Sequence, residues 1–153
     1  MWVPPEETDP ILLHEPTRRS IALFGAVNLH GGQMHALFCE PFNGDTFVVF
    51  LETLQRRRRK GGRMVVLSDN AAYHKSPPVQ GFLAEHHPSL QLLYLPPYSP
   101  DLNPIERVWK LTRRLCTHNR YFPDLAELRE VVGEQVRAWY RPNETLRRLC
   151  CII

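Results

Sequence analysis

The chain has 153 residues, 43% of them hydrophobic and 23% charged, a composition typical of one folded domain and unlike that of disordered or fibrous chains. It contains no run of about 18 apolar residues and begins with neither a basic flank nor an apolar core, so we expect no membrane span, no secretion signal and a cytoplasmic location. The net charge of +3 is uneven, because residues 1–55 carry two basic against seven acidic residues and the rest carry seventeen against nine. This asymmetry fits a polyanionic partner, and it fits ordinary solvated helix faces equally well.

The first half of the chain predicts a lead-in, a hairpin and a helix. Prolines keep residues 1–18 from forming a long helix, so we expect an irregular segment there. The β-rich runs 19–27 and 33–39, separated by a glycine-containing turn, predict a β-hairpin. Asn43 is expected to cap an amphipathic helix that ends in the basic run Arg56–Lys60 and two glycines. This basic run fits contact with a polyanionic partner or a solvated helix end.

The second half alternates buried strands with helices, as in an α/β domain. Residues 64–68 and 90–95 are apolar runs typical of strands buried on both faces of a sheet. A helix that starts with Pro77 separates them, and a proline-rich loop follows the second run. Asn103 and Pro104 fit the first two positions of a helix that runs to about Cys116, and a last amphipathic helix follows Asp124.

The four cysteines and seven histidines predict neither a disulfide framework nor a zinc site. They form no CxxC pair and no HxxxH pair. We expect reduced thiols, with the adjacent Cys150 and Cys151 as the one pair that could do more.

Two carboxylates stand where ligand sites form in α/β proteins. Asp69 follows the strand 64–68, and Glu106 lies in the first turn of the helix after Asn103. Carboxylates at such positions suit Mg²⁺, which prefers oxygen ligands and supports phosphodiester chemistry. Each residue also has a structural interpretation, because Asp69 fits a turn and Glu106 fits a capping box with Asn103.

The helix after Asn103 has two distinct faces. Its apolar face carries Ile105, Val108, Trp109, Leu111 and Leu115. Its polar face begins with Glu106 and continues with Lys110, Arg113 and Arg114. This face fits a metal at its start and a phosphate backbone further along, and it also fits a solvated amphipathic helix.

Two stretches resemble the last two catalytic motifs of the DDE transposases, in the mariner-type superfamily and its bacterial insertion-sequence branch. The first is LSDNAAYHKS at residues 67–76, and the second is LPPYSPDLNPIERVWK at residues 95–110. Thirty-six residues separate Asp69 from Glu106, similar to the spacing in that superfamily. The resemblance extends from the hairpin to the last helix.

The resemblance implies a ribonuclease H-like fold, a mixed five-stranded sheet with helices on both faces. It implies Mg²⁺-dependent cleavage at transposon ends, with Mn²⁺ as a substitute, and strand transfer into target DNA. Asp69 and Glu106 would be the second and third acidic metal ligands. Asn70 and His74 would lie near the site, and Lys110, Arg113 and Arg114 would contact DNA. Full-length relatives are expected to be homo-oligomers.

The sequence departs from this pattern at the first central strand, which carries the family's first catalytic Asp. No matching strand precedes the hairpin, and the early carboxylates lie in a proline-punctuated segment: Glu6, Glu7, Asp9 and Glu15. We therefore interpret residues 1–153 as the C-terminal part of one catalytic domain, inactive alone. A product of an upstream reading frame is one source for the missing strand.

Two other interpretations remain. The chain fits a non-catalytic DNA-binding or dimer-interfering remnant that keeps the basic face without the metals. A phosphatase-like α/β domain is less favoured because no DxD motif follows a strand.

Overall fold

The structure is a computed structural model that describes residues 20–97 and 99–151. In chain order its elements are β1 (Leu23–Val27), β2 (Met34–Phe38), α1 (Gly44–Arg56), β3 (Met64–Ser68), α2 (Pro77–His86), β4 (Leu90–Tyr94), α3 (Pro104–Cys116), α4 (Leu125–Ala138) and α5 (Glu144–Cys150). Short 3₁₀ turns lie at Ala72–Lys75 and Pro100–Leu102. The predicted α/β class is confirmed. The predicted lead-in at 1–18 lies outside the described residues.

The strands form two separate pairs. β1 and β2 are antiparallel, with Leu23 opposite Phe38, so the predicted hairpin is confirmed. β3 and β4 are parallel, with Met64 opposite Leu90. Within the described residues no strand joins β1 to β3, so the single five-stranded sheet that the resemblance implies is not seen in this part of the chain. The described strands therefore form two separate sheets.

The predicted helix starts are confirmed by their caps. Asn43 Oδ1 accepts a hydrogen bond from the Thr46 backbone N–H at 2.9 Å, and the Thr46 hydroxyl accepts one from Asn43 N–H at 3.1 Å, which is a capping box. The Asp124 carboxylate caps α4 by accepting a hydrogen bond from the Glu127 N–H at 2.8 Å. α5 was not predicted from the sequence. Its N-cap is Asn143.

Two hydrophobic cores lie on opposite faces of the hairpin. One packs α1 and α2 against β1, β3 and β4, and the other packs α3, α4 and α5 against the opposite face of the hairpin. β1 serves both because successive side chains alternate: Phe24 enters the first core and Leu23 the second. The hairpin thus has helices on both faces.

The β3–β4 pair is covered differently. Met64 and Val66 pack into the core with α1 and α2. The opposite face leaves Val65, Leu67 and Leu93 exposed at 52%, 39% and 49%. This exposed apolar face lies next to the gap between β1 and β3.

Cys39, Cys116, Cys150 and Cys151 form no disulfide with one another in the structure. None of the described helices combines the length and apolarity that a bilayer crossing requires.

Candidate active site

Asp69 lies immediately after β3, as the sequence predicts. Its carboxylate accepts a hydrogen bond from the Ala71 N–H at 3.1 Å, so it does form the turn that the structural interpretation expects. The same carboxylate oxygen lies 3.0 Å from His74 Nδ1, and the Asp69 side chain is 63% exposed. The Asp69 carboxylate is therefore accessible to solvent, and its contacts with Ala71 and His74 hold its orientation.

His74 is the buried partner of Asp69. Only 5% of the residue is exposed, and its ring lies 4.2 Å from the Phe47 ring. Burial lowers the pKa of His74, and the contacts with Asp69 oppose this shift. Because a carboxylate only accepts hydrogen bonds, the contact requires the tautomer with a proton on Nδ1. The predicted place of His74 beside Asp69 thus holds in the structure.

Two further contacts, which the sequence did not predict, hold His74 in place. Its Nδ1 lies 2.9 Å from the Ser68 hydroxyl oxygen, and its backbone carbonyl accepts a hydrogen bond from the Tyr94 hydroxyl at 2.9 Å. Ser68 and Tyr94 are paired residues at the ends of β3 and β4. The sequence signal that could have indicated this contact is Ser68, a polar residue at the end of an otherwise apolar strand.

Asn70 ties the two strand ends together. Its side-chain N–H donates to the Leu95 carbonyl, and its oxygen accepts from Lys75 Nζ at 2.7 Å. Both polar atoms of the Asn70 amide are thus engaged within the protein. This arrangement suits a residue that holds the loop carrying Asp69.

Glu106 lies in the first turn of α3. The Asn103 side chain caps this helix by accepting from the Ile105 N–H at 3.4 Å, and Asn103 and Pro104 are buried. The predicted reciprocal bond from a Glu106 carboxylate to Asn103 N–H is not among the contacts of the described residues. The cap positions the helix start, and Glu106 is half-buried beside it.

Both carboxylates line one cavity of about 670 Å³. Its walls are β1 and β3, which belong to different sheets, and its lining includes Trp109 of α3 and His74. Asp69 and Glu106 therefore face the same space from separate elements. The described residues contain no cluster of three or more His, Cys, Asp or Glu side chains, so these two carboxylates stand without a third there.

Two sets of basic residues are of interest, one on α3 and one at the end of α1. Lys110, Arg113 and Arg114 are exposed on α3, and the ion pairs of the described residues do not involve them. The basic run at the end of α1 lies elsewhere. The guanidinium carbon of Arg57 is 5.9 Å from the centre of the Tyr140 ring. Arg57–Arg59 and Arg63 line the same cavity as the carboxylates.

A family model described as "DDE superfamily endonuclease" matches residues 1–129. The chain belongs to this family. The match includes both Asp69 and Glu106, so the resemblance seen in the two motifs is confirmed.

The chain is also similar to two bacterial proteins. It is 29% identical over 106 residues to "Uncharacterized protein y4pE/y4sA" of Sinorhizobium fredii (strain NBRC 101917 / NGR234), a match covering 69% of the chain and 75% of that protein. It is 27% identical over 106 residues to "Insertion element IS630 uncharacterized 39 kDa protein" of Shigella sonnei, covering 69% of the chain and 31% of that protein.

The fold is similar to that of Mos1 mariner transposase in a paired end complex with Mn. The TM-score is 0.70 at 22% sequence identity, and the match covers 98% of this chain and 46% of that one. This likeness confirms the ribonuclease H-like fold class. The chain spans less than half of the Mos1 chain.

Proposed function

We propose that this chain supplies the catalytic part of a transposase that cuts DNA strands at transposon ends and joins them to target DNA. The observation that carries the proposal is that Asp69 and Glu106, from two different elements, face one cavity. Membership of the DDE superfamily endonuclease family supports the reaction class. The likeness to a paired end complex supports DNA as the substrate, which a bacterial transposase meets in the cytoplasm.

Mg²⁺, with Mn²⁺ as a substitute, is the cofactor that we propose for this cavity. The donor set fits, because Asp69 and Glu106 offer only oxygen atoms and Asp69 has an exposed carboxylate. When bound, the metal would activate a water or a 3′-hydroxyl and stabilise the leaving oxygen. His74 contributes by fixing the Asp69 carboxylate through the bond from Nδ1.

Lys110, Arg113 and Arg114 are proposed to bind the DNA backbone. They lie on the helix that begins with Glu106, and all three are exposed. Cations at these positions contact phosphates without reading sequence, so binding should weaken steeply with salt. A DNA strand that follows this helix leads towards the carboxylates.

We further propose that the chain alone does not cleave DNA. Among the described residues only Asp69 and Glu106 offer carboxylates to the cavity, and we infer from the sequence pattern that none of the early carboxylates replaces the family's first Asp. An upstream-frame product is the proposed source of the missing strand, and the complete enzyme is proposed to act as a homo-oligomer.

The alternative proposal is a DNA-binding remnant that interferes with an intact transposase. The observation that favours it is the exposed basic face of α3, which needs neither carboxylate. Such a remnant would bind DNA in EDTA and after Glu106→Gln.

The test is cleavage of a labelled transposon-end duplex with Mg²⁺, by the chain alone and after mixing with the upstream-frame polypeptide. Cleavage should appear only in the mixture and be lost in Asp69→Asn and Glu106→Gln. Glu134→Gln on α4 is the matched control, because Glu134 is exposed and does not line the cavity. Cleavage by the chain alone would refute its inactivity. A silent mixture in which DNA binding persists would favour the remnant.

A further inference from the structure

A positive charge is held in a fixed place beside the loop that carries Asp69. Lys75 is the last residue of the 3₁₀ turn Ala72–Lys75, and it is exposed. Its Nζ donates a hydrogen bond to Asn70 Oδ1 at 2.7 Å and lies 4.8 Å from the centre of the Tyr94 ring. A free lysine side chain samples many rotamers, so these two contacts restrict the ammonium group to one position.

The partners of Lys75 leave its charge intact. An amide oxygen and an aromatic ring carry no net charge, and the ion pairs of the described residues do not include Lys75. Arg147 and Arg148 differ, because the Glu144 carboxylate accepts hydrogen bonds from both. An ammonium group has three N–H donors, and Asn70 takes one of them. Lys75 can therefore donate to an anion without leaving its partners.

The two partners of this ammonium group are themselves fixed. The Asn70 side-chain N–H donates to the Leu95 carbonyl, and the Tyr94 hydroxyl donates to the His74 carbonyl at 2.9 Å. These bonds join the ends of β3 and β4 to the 3₁₀ turn. The cation is therefore held in place relative to the loop that carries Asp69.

The start of α2 adds to the positive potential at this place. α2 begins at Pro77, two residues after Lys75. Its N-cap residue, Ser76, makes no side-chain cap bond, and its first turn contains no acidic residue. The N-terminus is the positive end of the helix dipole. Because Pro77 and Pro78 have no N–H, Lys75 must supply the hydrogen bonds to an anion bound here.

The anion that best suits this position is a backbone phosphate of a nucleic acid. Lys75 is exposed and is not among the residues that line the cavity, so no walls enclose a small anion there. A polyanion needs no enclosure, because it binds by the sum of many such contacts. Lys75 belongs to the half that carries Asp69, whereas the cations of α3 belong to the half that carries Glu106. A strand that contacts both sets passes the two carboxylates.

We propose that Lys75 binds a phosphate of the DNA strand that occupies the site, on the side of Asp69. Asn70 and Tyr94 hold the ammonium group in the position that the phosphate needs, so little side-chain entropy is lost on binding. That the polyanion is DNA rests on the proposed function, whereas the fixed cation does not.

The test measures binding of a labelled transposon-end duplex to the full chain by fluorescence anisotropy, in EDTA and over a range of salt concentrations. Lys75→Gln should weaken binding about five- to tenfold at about 0.1 M salt. It should also reduce the slope of log K against log salt by about 0.9, the value for one phosphate contact. Lys75→Arg should keep the slope, because the charge is retained.

Arg129→Gln is the matched control. Arg129 is likewise exposed and lies over an aromatic ring, 4.5 Å from the centre of the Phe38 ring. It stands on α4, in the other half of the molecule, and its loss should leave both affinity and slope unchanged. An unchanged slope in Lys75→Gln, or an equal loss in Arg129→Gln, would overturn the proposal.

A scan of the duplex with neutral methylphosphonates locates the contact. At the phosphate that Lys75 binds, Lys75→Gln should cause no further loss of affinity, and at every other position it should cause its full loss. If no single position silences Lys75→Gln, the residue acts through the loop and the proposal of a direct contact is wrong.

Lys110→Gln on α3 separates this inference from the proposed function. If Lys110→Gln reduces the slope and Lys75→Gln does not, the DNA-binding face of α3 stands and the inference about Lys75 fails. If the chain does not bind the duplex at any salt concentration, both fail.

Discussion

Gly25 of β1 permits the close approach of Trp109, and this contact connects the hairpin to the helix that carries Glu106. A Cβ atom added at Gly25 would lie 2.5 Å from Cζ2 and Cη2 of the Trp109 indole. Carbon atoms pack best at about 3.5–4.0 Å, so Gly25→Ala requires the ring to retreat by about 1 Å. Overpacking of this kind costs about 1–3 kcal/mol, more than the roughly 0.5–1 kcal/mol that alanine regains in a strand.

We therefore expect Gly25→Ala to lower the free energy of unfolding by about 1–2 kcal/mol. Urea unfolding followed by far-UV circular dichroism measures this, as a lower midpoint with an unchanged slope. Gly81→Ala is the matched control, because a Cβ at Gly81 on α2 meets nothing within 4 Å. That change should stabilise the protein by about 0.5–1 kcal/mol.

A double-mutant cycle isolates the contact. Trp109→Leu removes both ring atoms, so Gly25→Ala should cost almost nothing in that background, giving a coupling of about 1–2 kcal/mol. Mn²⁺ binding should also weaken in Gly25→Ala, because Glu106 lies one turn before Trp109. If Gly25→Ala lowers the free energy of unfolding by the same amount in both backgrounds, the contact with Trp109 is not the cause of the destabilisation.

Three further predictions concern pH and capping. Burial, with Arg57 nearby, lowers the pKa of His35 from 6.5; the free energy of unfolding should therefore fall below about pH 6.5, and His35→Gln should flatten that fall in urea titrations. Hydrogen bonds from two arginines of α5 lower the pKa of Glu144 from 4.5 to about 2; its contribution is present above pH 4.5 and lost towards pH 2, so Glu144→Gln should remove this acid dependence. Asn43→Ala should cost about 1 kcal/mol in thermal unfolding, and Asn43→Ser should restore most of it.

Local signals predicted most elements because each start is fixed by neighbouring residues. Asn43, Asn103 and Asp124 each cap the helix that follows, and this depends on only a few residues of chain. α5 escaped prediction because it has seven residues, too few for a sustained periodicity. Its stability comes from distant contacts instead, such as the bond from Asn143 N–H to the Gly31 carbonyl at 2.9 Å.

The site was predictable residue by residue and not as an assembly. Asp69 follows from a strand end and Glu106 from a helix start, so each was found from its own segment. The bond of His74 to Asp69 depends on the 3₁₀ turn between them, and the cavity depends on how two sheets face each other. Neither has a periodic signature in the sequence.

Asp69 and Glu106 belong to different halves of the molecule, so the distance between them depends on how the two halves pack together. Asp69 is carried by the β3–β4 pair and its core with α1 and α2, whereas Glu106 is carried by α3, which packs in the other core. Between them lies β1, whose alternate side chains join both cores. The packing of β1 against both cores therefore sets the separation of Asp69 and Glu106. A metal held by both carboxylates should therefore stabilise the packing of β1 between the two cores, and a variant that loosens this packing, such as Gly25→Ala, should weaken metal binding in return.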